Sequence, residues 1–354
     1  MIIKRPVTTL IDECVNEGMQ HSWETKGNIN RAYVSLIYGA APSPSLIANA
    51  LAMANSLMGS KYRRVLLYTS DVPDTVLTML EDCGLFTELR EVDYIMGDFA
   101  LFKRDWFREV FTKFHIFNMT EFTRVLFLDL DTIVVDVEKM DALFDLDCKF
   151  AAMENSKRPS SASMWLEHGQ ILDKHCGLMN AGVMLVTPNS ELFDILCKDV
   201  TSNSAHHVPG MTPEQFYLAR VMGHHFTHIS QIYNFEVQYH GGVPVTGVWK
   251  RTVDISELVC LHFSGGSPLT TVSSTNYPTA DLGCQLHKPY VRKSWETDID
   301  RGTQLRANKR AIQAFDLWKR NFIDTMKTLE GKISNPNVSY STLRRTRDEI
   351  VKGI

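Results

Sequence analysis

The chain has 354 residues, 44% of them hydrophobic, and a formal net charge of −4 at pH 7, which is ordinary for a soluble globular protein with one large α/β domain plus additions, or with two domains. No apolar run approaches the roughly 20 residues of a membrane-spanning helix, and Asp12, Glu13 and Glu17 stand where a signal peptide would be apolar, so the sequence predicts a cytoplasmic protein without a membrane span. Seven cysteines without paired spacing favour reduced thiols over a disulfide framework.

The first part of the chain predicts strands that alternate with helices. Residues 1–30 predict a helical leader that precedes this pattern. Strands are predicted at 32–37, 64–69, 89–94 and 124–128, and helices at 45–58, 74–82 and 105–119. Because such alternation implies right-handed βαβ crossovers, we predict an α/β fold with a largely parallel sheet flanked by helices.

The second part is less regular. It predicts strands at 149–153, 181–187 and 258–263, helices at 190–200 and 213–222, and a polar loop at 155–176. A loop rich in Gly, Ser, Thr and Pro follows at 264–286. Loops of this length in a compact domain are usually functional or disordered.

The C-terminal residues predict a basic amphipathic helix that packs back on the body. Apolar residues recur there with helical spacing at Ile312, Phe315, Trp318, Phe322, Met326 and Leu329. Residues 301–354 carry a net charge of +7, and the remaining residues carry −11. Because interleaved aromatics and a binding motif are missing, a solvated helix face is favoured over a nucleic-acid partner. We predict a leader at 1–30, a main domain at 31–295 and a basic helical extension at 296–354.

Two carboxylates end the strand predicted at 124–128. Asp129 and Asp131 follow the apolar run directly, and ligands of open α/β sheets bind outside the carboxyl ends of the strands. Carboxylates at i and i+2 can share a hard divalent cation whose other positions take phosphate oxygens. Acidic residues also simply end strands, but the pattern favours a metal site.

Two later motifs fit the same chemistry. Asn180-Ala-Gly182 opens an apolar strand, which suits close approach of a sugar or diphosphate to the backbone, or else forms a plain turn. His262 lies at the end of another apolar run, where it is either a core residue or a third ligand beside the two aspartates. A neutral imidazole with two carboxylates suits Mn²⁺.

These motifs, together with Lys113-Phe-His and Glu214-Gln215, occur in the order and approximate spacing of a known family. The chain resembles the glycogenin-like family 8 glycosyltransferases over roughly residues 33–290, and several spaced motifs are more specific than one. The resemblance implies a GT-A-type, Rossmann-like, mostly parallel sheet with helical N- and C-terminal additions. It also implies a UDP-sugar donor, a hydroxyl acceptor, Mn²⁺ with Mg²⁺ as the alternative, and hexose transfer with retention of anomeric configuration.

The resemblance also implies roles for individual residues. Asp129, Asp131 and His262 would bind the metal, and Gln215, Glu214 and Lys113 would be the catalytic residues, with Glu214-Gln215 facing the anomeric carbon. The residues expected to contact the donor are Arg104, Lys113, Asp129, Leu130, Glu154, Asn180, Ala181, Gly182, Gly265 and Lys288.

The chain departs from the family pattern at three places. Residues 39–44 read Gly-Ala-Ala-Pro-Ser-Pro, where the family has Asn or Asp and then Tyr to hold uracil. A Lys-Pro-Trp expected soon after the histidine is matched only by Lys288-Pro-Tyr290, beyond an insertion at 267–287. Glu154 replaces a sugar-contacting Asp with a side chain one methylene longer, which can change which hexose fits.

The sequence leaves several alternatives open. A scaffold or sugar-nucleotide-binding protein of the same fold is one rival, and a haloacid-dehalogenase-type phosphatase is another, although Thr132 stands where many such phosphatases have Gly. The sequence does not distinguish glucose from galactose as the donor sugar, a glycan from a protein hydroxyl as the acceptor, or a monomer from a homodimer. Self-glycosylation would need a tyrosine such as Tyr233 or Tyr239.

Overall fold

A computed structural model describes residues 6–17, 30–97, 105–154, 179–202, 204–207, 213–237, 255–264, 268–269, 301–333 and 338–352. The strands are β1 Arg31–Ile37, β2 Arg63–Tyr68, β3 Glu88–Glu91, β4 Arg124–Leu128, β5 Thr132–Val134, β6 Phe150–Glu154, β7 Met179–Val186, β8 Phe226–His228, β9 Phe235–Glu236 and β10 Cys260–His262. The α-helices are α1 Val7–Glu17, α2 Pro44–Ser56, α3 Asp74–Asp82, α4 Val137–Ala142, α5 Ser190–Val200, α6 Pro213–Met222, α7 Arg301–Leu329 and α8 Val338–Lys352.

The described strands form an α/β fold with two sheets. Seven of them hydrogen-bond in the order β3–β2–β1–β4–β7–β6–β8, and a smaller sheet has the order β5–β10–β9. Strand β1 is parallel to β4, and β6 is parallel to β8, whereas β7 runs antiparallel to both β4 and β6. The prediction of a largely parallel sheet flanked by helices is confirmed, and β7 runs antiparallel to both of its neighbours.

Several predicted elements match the observed ones closely, because local side chains fix their ends. Helix α5 occupies the predicted residues, and its N-cap Asn189 accepts a hydrogen bond from the Leu192 amide at 2.8 Å. Helix α2 begins with Pro44 after the N-cap Ser43, whose hydroxyl accepts from the Leu46 amide at 3.2 Å. The helix predicted at 105–119 is present as a 3₁₀ helix, Asp105–Asn118.

The elements that the sequence did not predict are mostly short. They are β5, β8, β9 and α4, and the three strands among them have only two or three residues. A strand of that length shows no alternation of its own and forms because its neighbours hydrogen-bond to it. Strand β8, for example, is paired with β6 from Phe150↔Phe226 to Ala152↔His228.

The contacts divide the chain into two compact units. The first comprises Met1–Leu36, Arg90–Leu128 and Ala142–Ser230. Its strands β4 and β7 are buried throughout, as expected of strands covered on both faces. A row of phenylalanine rings crosses its core, with ring centroids 6.0 to 6.4 Å apart; the row is Phe114, Phe117, Phe150 and Phe226.

The second unit comprises Ile37–Leu89, Asp129–Asp141 and Gln231–Ile354. It contains the small sheet and the predicted C-terminal amphipathic helix, α7, whose apolar positions Phe315, Trp318 and Phe322 are buried. Asn321 ties α7 to α2, because its amide donates to the Ala52 carbonyl and accepts from the Asn55 amide, each at 2.9 Å. The domain boundaries predicted at residues 30/31 and 295/296 stay predictions. Within the described part of the chain, no helix is both long and apolar enough to cross a bilayer.

Candidate metal centre and neighbouring polar residues

The two aspartates lie in a tight turn between β4 and β5, in the second unit. The Thr132 amide and hydroxyl both donate to the Asp129 carbonyl, at 3.1 and 2.8 Å, which closes the turn. Leu130, between the aspartates, is 6% exposed. Because neighbouring side chains diverge, burial of Leu130 leaves the two flanking carboxylates on the more exposed side of the turn.

His262 is brought to this turn by strand pairing. Strand β10 is antiparallel to β5, with His262 opposite Thr132, and the Phe263 amide donates to the Asp131 carbonyl at 2.9 Å. The Nε2 atom of His262 lies 3.3 Å from Asp131 Oδ1 and 4.0 Å from Asp129 Oδ2. Three potential ligand atoms, one from each side chain, therefore lie within 4.8 Å of one another. The predicted convergence of these three residues is observed.

The hydrogen bond on the other side of the imidazole fits a metal ligand. His262 Nδ1 lies 2.9 Å from Oδ1 of Asn234, which is fully buried. An amide oxygen only accepts, so Nδ1 carries the proton, and in the neutral ring Nε2 presents its lone pair toward the carboxylates. Two carboxylate oxygens and one imidazole nitrogen are suitable ligands for a divalent cation.

Opposing effects act on the pKa of His262. Burial lowers the pKa, because a charged ring loses hydration, while the carboxylates of Asp131, Asp129 and Glu236 raise it, and the net direction is upward. The same negative field that favours a proton on the imidazole also favours a metal cation. The carboxylates around His262 therefore favour a bound positive charge.

Three polar residues around the imidazole were not predicted as site residues. Asn234 contacts Nδ1, and Glu236 is the register partner of His262 across the β9–β10 pair. Glu236 is 1% exposed and accepts a hydrogen bond from the Ser264 hydroxyl at 3.0 Å. A lone Asn before a two-residue strand and a Glu within it give no sequence signal, so only the tertiary structure identifies them.

A buried ion pair lies in the first unit. Lys113 Nζ is 3.6 Å from Glu214 Oε1, with the two side chains 9% and 7% exposed. The ammonium also lies 5.2 Å from the centroid of the Phe127 ring. Gln215 donates from Nε2 to Glu214 Oε1 at 3.4 Å. The three residues predicted as catalytic are therefore neighbours, at the start of α6 and on the 3₁₀ helix.

Asn180, Ala181 and Gly182 belong to strand β7, at a bulge-like irregularity in its pairing with β6, rather than to a turn. The register between β6 and β7 shifts between Ala152 and Met153, so that Met153 pairs with Asn180 and Ala152 with Met184. Asn180 is 2% exposed, and its Oδ1 accepts from the Gly182 amide at 2.8 Å. Bulges occur next to active sites, where they redirect side chains and interrupt pairing. The alternative of a plain turn is wrong.

Several predicted site residues lie outside the described residues. These are Arg104, Gly265 and Lys288, as well as the side chain of Glu154, whose backbone ends β6, and most of the insertion at 267–287. In the loop that departs from the family pattern, Gly39 has φ of +96° and Ser43 caps α2. Contact of Arg104, Glu154, Gly265 and Lys288 with the donor stays a prediction.

The α/β fold, the Asp-x-Asp turn and the nearby histidine are the features that the motifs predicted for a glycosyltransferase. Residues 58–266, more than half of the chain, match the family model described as Glycosyl transferase family 8. The chain therefore belongs to glycosyl transferase family 8, and its mostly parallel sheet is the GT-A-type arrangement expected of that family. The family assignment made from the motifs is confirmed.

Comparison with individual proteins gives more distant similarities. The chain is 29% identical to an uncharacterized protein of Acanthamoeba polyphaga mimivirus over 241 residues, which are 66% of this chain and 80% of that protein. It is 26% identical over 258 residues to inositol phosphorylceramide glucuronosyltransferase 1 of Arabidopsis thaliana, spanning 66% of this chain and 41% of that protein. Among solved structures, the glycosyltransferase GlyE of Streptococcus pneumoniae is 20% identical, with a TM-score of 0.47. The match covers 68% of this chain and 56% of the GlyE chain.

Proposed function

We propose that this chain is a metal-dependent, retaining glycosyltransferase that moves a hexose from a UDP-sugar to a hydroxyl acceptor. The observation that carries the proposal is the convergence of Asp129, Asp131 and His262, with Nε2 of the imidazole 3.3 Å from an aspartate oxygen, in a family 8 chain. We propose Mn²⁺ as the resident ion, because imidazole with two carboxylates suits it better than Mg²⁺.

The proposed reaction breaks the bond between the anomeric carbon and the diphosphate. A divalent ion held by the three ligands would neutralise charge on the departing diphosphate. The acceptor oxygen attacks the anomeric carbon from the face that the diphosphate leaves, and a phosphate oxygen takes the acceptor proton. Such same-face transfer needs no carboxylate nucleophile, which fits the amide of Gln215 at the position that the family resemblance assigns to the anomeric carbon.

Lys113 and Glu214 are proposed to shape the donor site around Gln215. The Glu214 carboxylate accepts from the Gln215 amide and is held by the Lys113 ammonium. A carboxylate whose Oε1 contacts both groups orients the Gln215 amide nitrogen, so the amide oxygen can face positive charge that develops on the sugar. Lys113 is thereby a residue that orients Glu214, in addition to the donor contact implied by the family.

Two classes of donor sugar are proposed. The family resemblance favours a neutral hexose, glucose or galactose. The relative whose name assigns glucuronosyl transfer supports UDP-glucuronate as a second candidate, and Glu154, where the family has Asp, is one position at which the sequence departs from the family pattern. Three points stay predictions from the sequence: an acceptor that is a glycan or a protein hydroxyl, a homodimer, and a cytoplasmic location.

Release of UDP in the absence of an acceptor tests the proposed function. The protein is incubated with UDP-glucose, UDP-galactose and UDP-glucuronate, each with Mn²⁺, Mg²⁺ or a chelator. We expect UDP release from one donor above the others, fastest with Mn²⁺ and abolished by the chelator. Intact-protein mass after each incubation detects self-glycosylation in the same samples.

The rivals predict different products in this assay. If no sugar nucleotide releases UDP under any metal condition, a binding or scaffold protein is favoured. If inorganic phosphate is released from phosphomonoesters, the aspartate pair belongs to a phosphatase and the proposal is wrong.

Replacing Gln215 with alanine tests its proposed role at the anomeric carbon. We expect the turnover to fall by ~10-fold or more, because an oriented dipole near developing charge contributes at least that factor. Gln313→Ala on α7 is the matched control, since Gln313 is also half-buried but lies in no predicted site. If Gln215→Ala keeps more than a tenth of the wild-type turnover while Gln313→Ala is unchanged, Gln215 has no direct role at the anomeric carbon.

A further inference from the structure

A single buried hydrogen bond determines which nitrogen of His262 can bind a cation. Free imidazole exchanges its proton between Nδ1 and Nε2, and only the nitrogen without a proton can act as a ligand. In this protein Nε2 faces the two carboxylates, and Nδ1 faces Asn234 Oδ1 at 2.9 Å. A ring protonated on Nε2 and bare on Nδ1 would turn two lone pairs, on Nδ1 and Oδ1, toward each other.

The backbone that carries Asn234 is fixed by hydrogen bonds to its neighbours. Asn234 is fully buried, and its backbone amide donates a hydrogen bond to the Gln231 carbonyl at 3.2 Å. The preceding turn is tied to the start of the β10 segment by the Val259 amide, which donates to the Ile232 carbonyl at 2.9 Å. Directly after Asn234, β9 pairs in parallel with β10, with Leu261 opposite Phe235. The backbone positions next to Asn234 and at His262 are thus fixed by the same strand pair.

We propose that Asn234 is a positioning residue of the metal centre: it accepts the Nδ1 proton of His262 and so keeps the Nε2 lone pair directed at the cation. This inference rests on the proposed metal role of His262. Outer-shell acceptors of this kind fix the tautomer and ring orientation of ligating histidines and raise their basicity. Asn234 contacts no substrate in this proposal and acts through His262 alone.

The test compares three substitutions in the intact protein by Mn²⁺ affinity, measured from the electron paramagnetic resonance signal of free Mn²⁺. Asn234→Ala removes the acceptor, and we expect the Kd for Mn²⁺ to rise by ~10- to 100-fold. Asn234→Asp keeps an acceptor at the same place and should bind Mn²⁺ within about threefold of wild type, or more tightly. Asn321→Ala is the matched control, because Asn321 also makes structural hydrogen bonds in the same unit, but to Asn55 and Ala52.

The outcomes separate the inference from the proposed function. If wild type binds Mn²⁺ and Asn234→Ala binds it equally well, the positioning role is wrong while the metal site stands. If Asn234→Asp or Asn321→Ala loses as much affinity as Asn234→Ala, the loss reflects general destabilisation, and the inference is overturned. If wild type itself fails to bind Mn²⁺, the proposed metal role of the cluster fails first.

The tautomer itself can be read without any variant, which keeps the inference testable if Asn234→Ala does not fold. In metal-free ¹⁵N-histidine-labelled protein, at a pH high enough that the His262 ring is neutral, we expect a protonated Nδ1 and a bare Nε2. A ring protonated on Nε2 under those conditions would contradict the assignment.

Discussion

Replacing Asp131 with asparagine is expected to lower metal-dependent UDP release at least ~100-fold. The substitution preserves the size of the side chain but removes the charge of the oxygen that lies nearest to His262 Nε2, at 3.3 Å. Charge neutralisation by a metal contributes several kcal/mol to such a transition state, and each 1.36 kcal/mol corresponds to a factor of ten. Steady-state rates at saturating Mn²⁺, together with the Kd for Mn²⁺, are the measurements.

Asp136→Asn is the matched control for this substitution. Asp136 lies five residues farther along the chain in the same unit, its side chain is 33% exposed against 28% for Asp131, and it pairs with Lys139 at 2.9 Å. We expect the control to keep wild-type turnover and Mn²⁺ affinity. Turnover of Asp131→Asn within threefold of wild type, at an unchanged Mn²⁺ requirement, would remove the aspartate pair from the mechanism.

Replacing Lys113 with methionine is expected to lower the free energy of unfolding by ~3 kcal/mol or more. The substitution leaves the carboxylate of Glu214, 7% exposed, without the ammonium at 3.6 Å, and removing one partner of a buried pair exposes the full desolvation cost of the other. Urea denaturation gives the measurement. The double variant Lys113→Met with Glu214→Leu should recover most of the loss, because an apolar pair of similar volume needs no compensation.

The double-mutant cycle also separates stability from activity. We expect the double variant to fold nearly as stably as wild type and yet to remain inactive, because both side chains belong to the proposed donor site. If Lys113→Met is as stable as wild type, the ion pair is solvated in solution and Lys113 does not orient Glu214. If the double variant regains turnover along with stability, neither charge takes part in the reaction.

The metal ligands could be predicted from the sequence only with the help of the family pattern. Asp129 and Asp131 follow a five-residue buried strand, and that signal is local. The approach of His262 depends on the antiparallel pairing of β10 with β5, two strands that are more than 120 residues apart in the sequence and only three residues long. Local periodicity contains no information about such a pairing, so spacing alone left His262 undecided between core and ligand.

The sequence by itself determined the α/β class, the long strands and helices, and the Asp-x-Asp signature, because each depends on hydrophobic periodicity, capping side chains or adjacent residues. Only the tertiary structure decided that Asn234 and Glu236 lie beside the imidazole, that Asn180 lies at a register shift between β6 and β7, and that Lys113 pairs with Glu214. These features arise from hydrogen bonds and ion pairs between segments that are distant in the chain. Their energy depends on burial and on geometry, which exist only once the strands have paired.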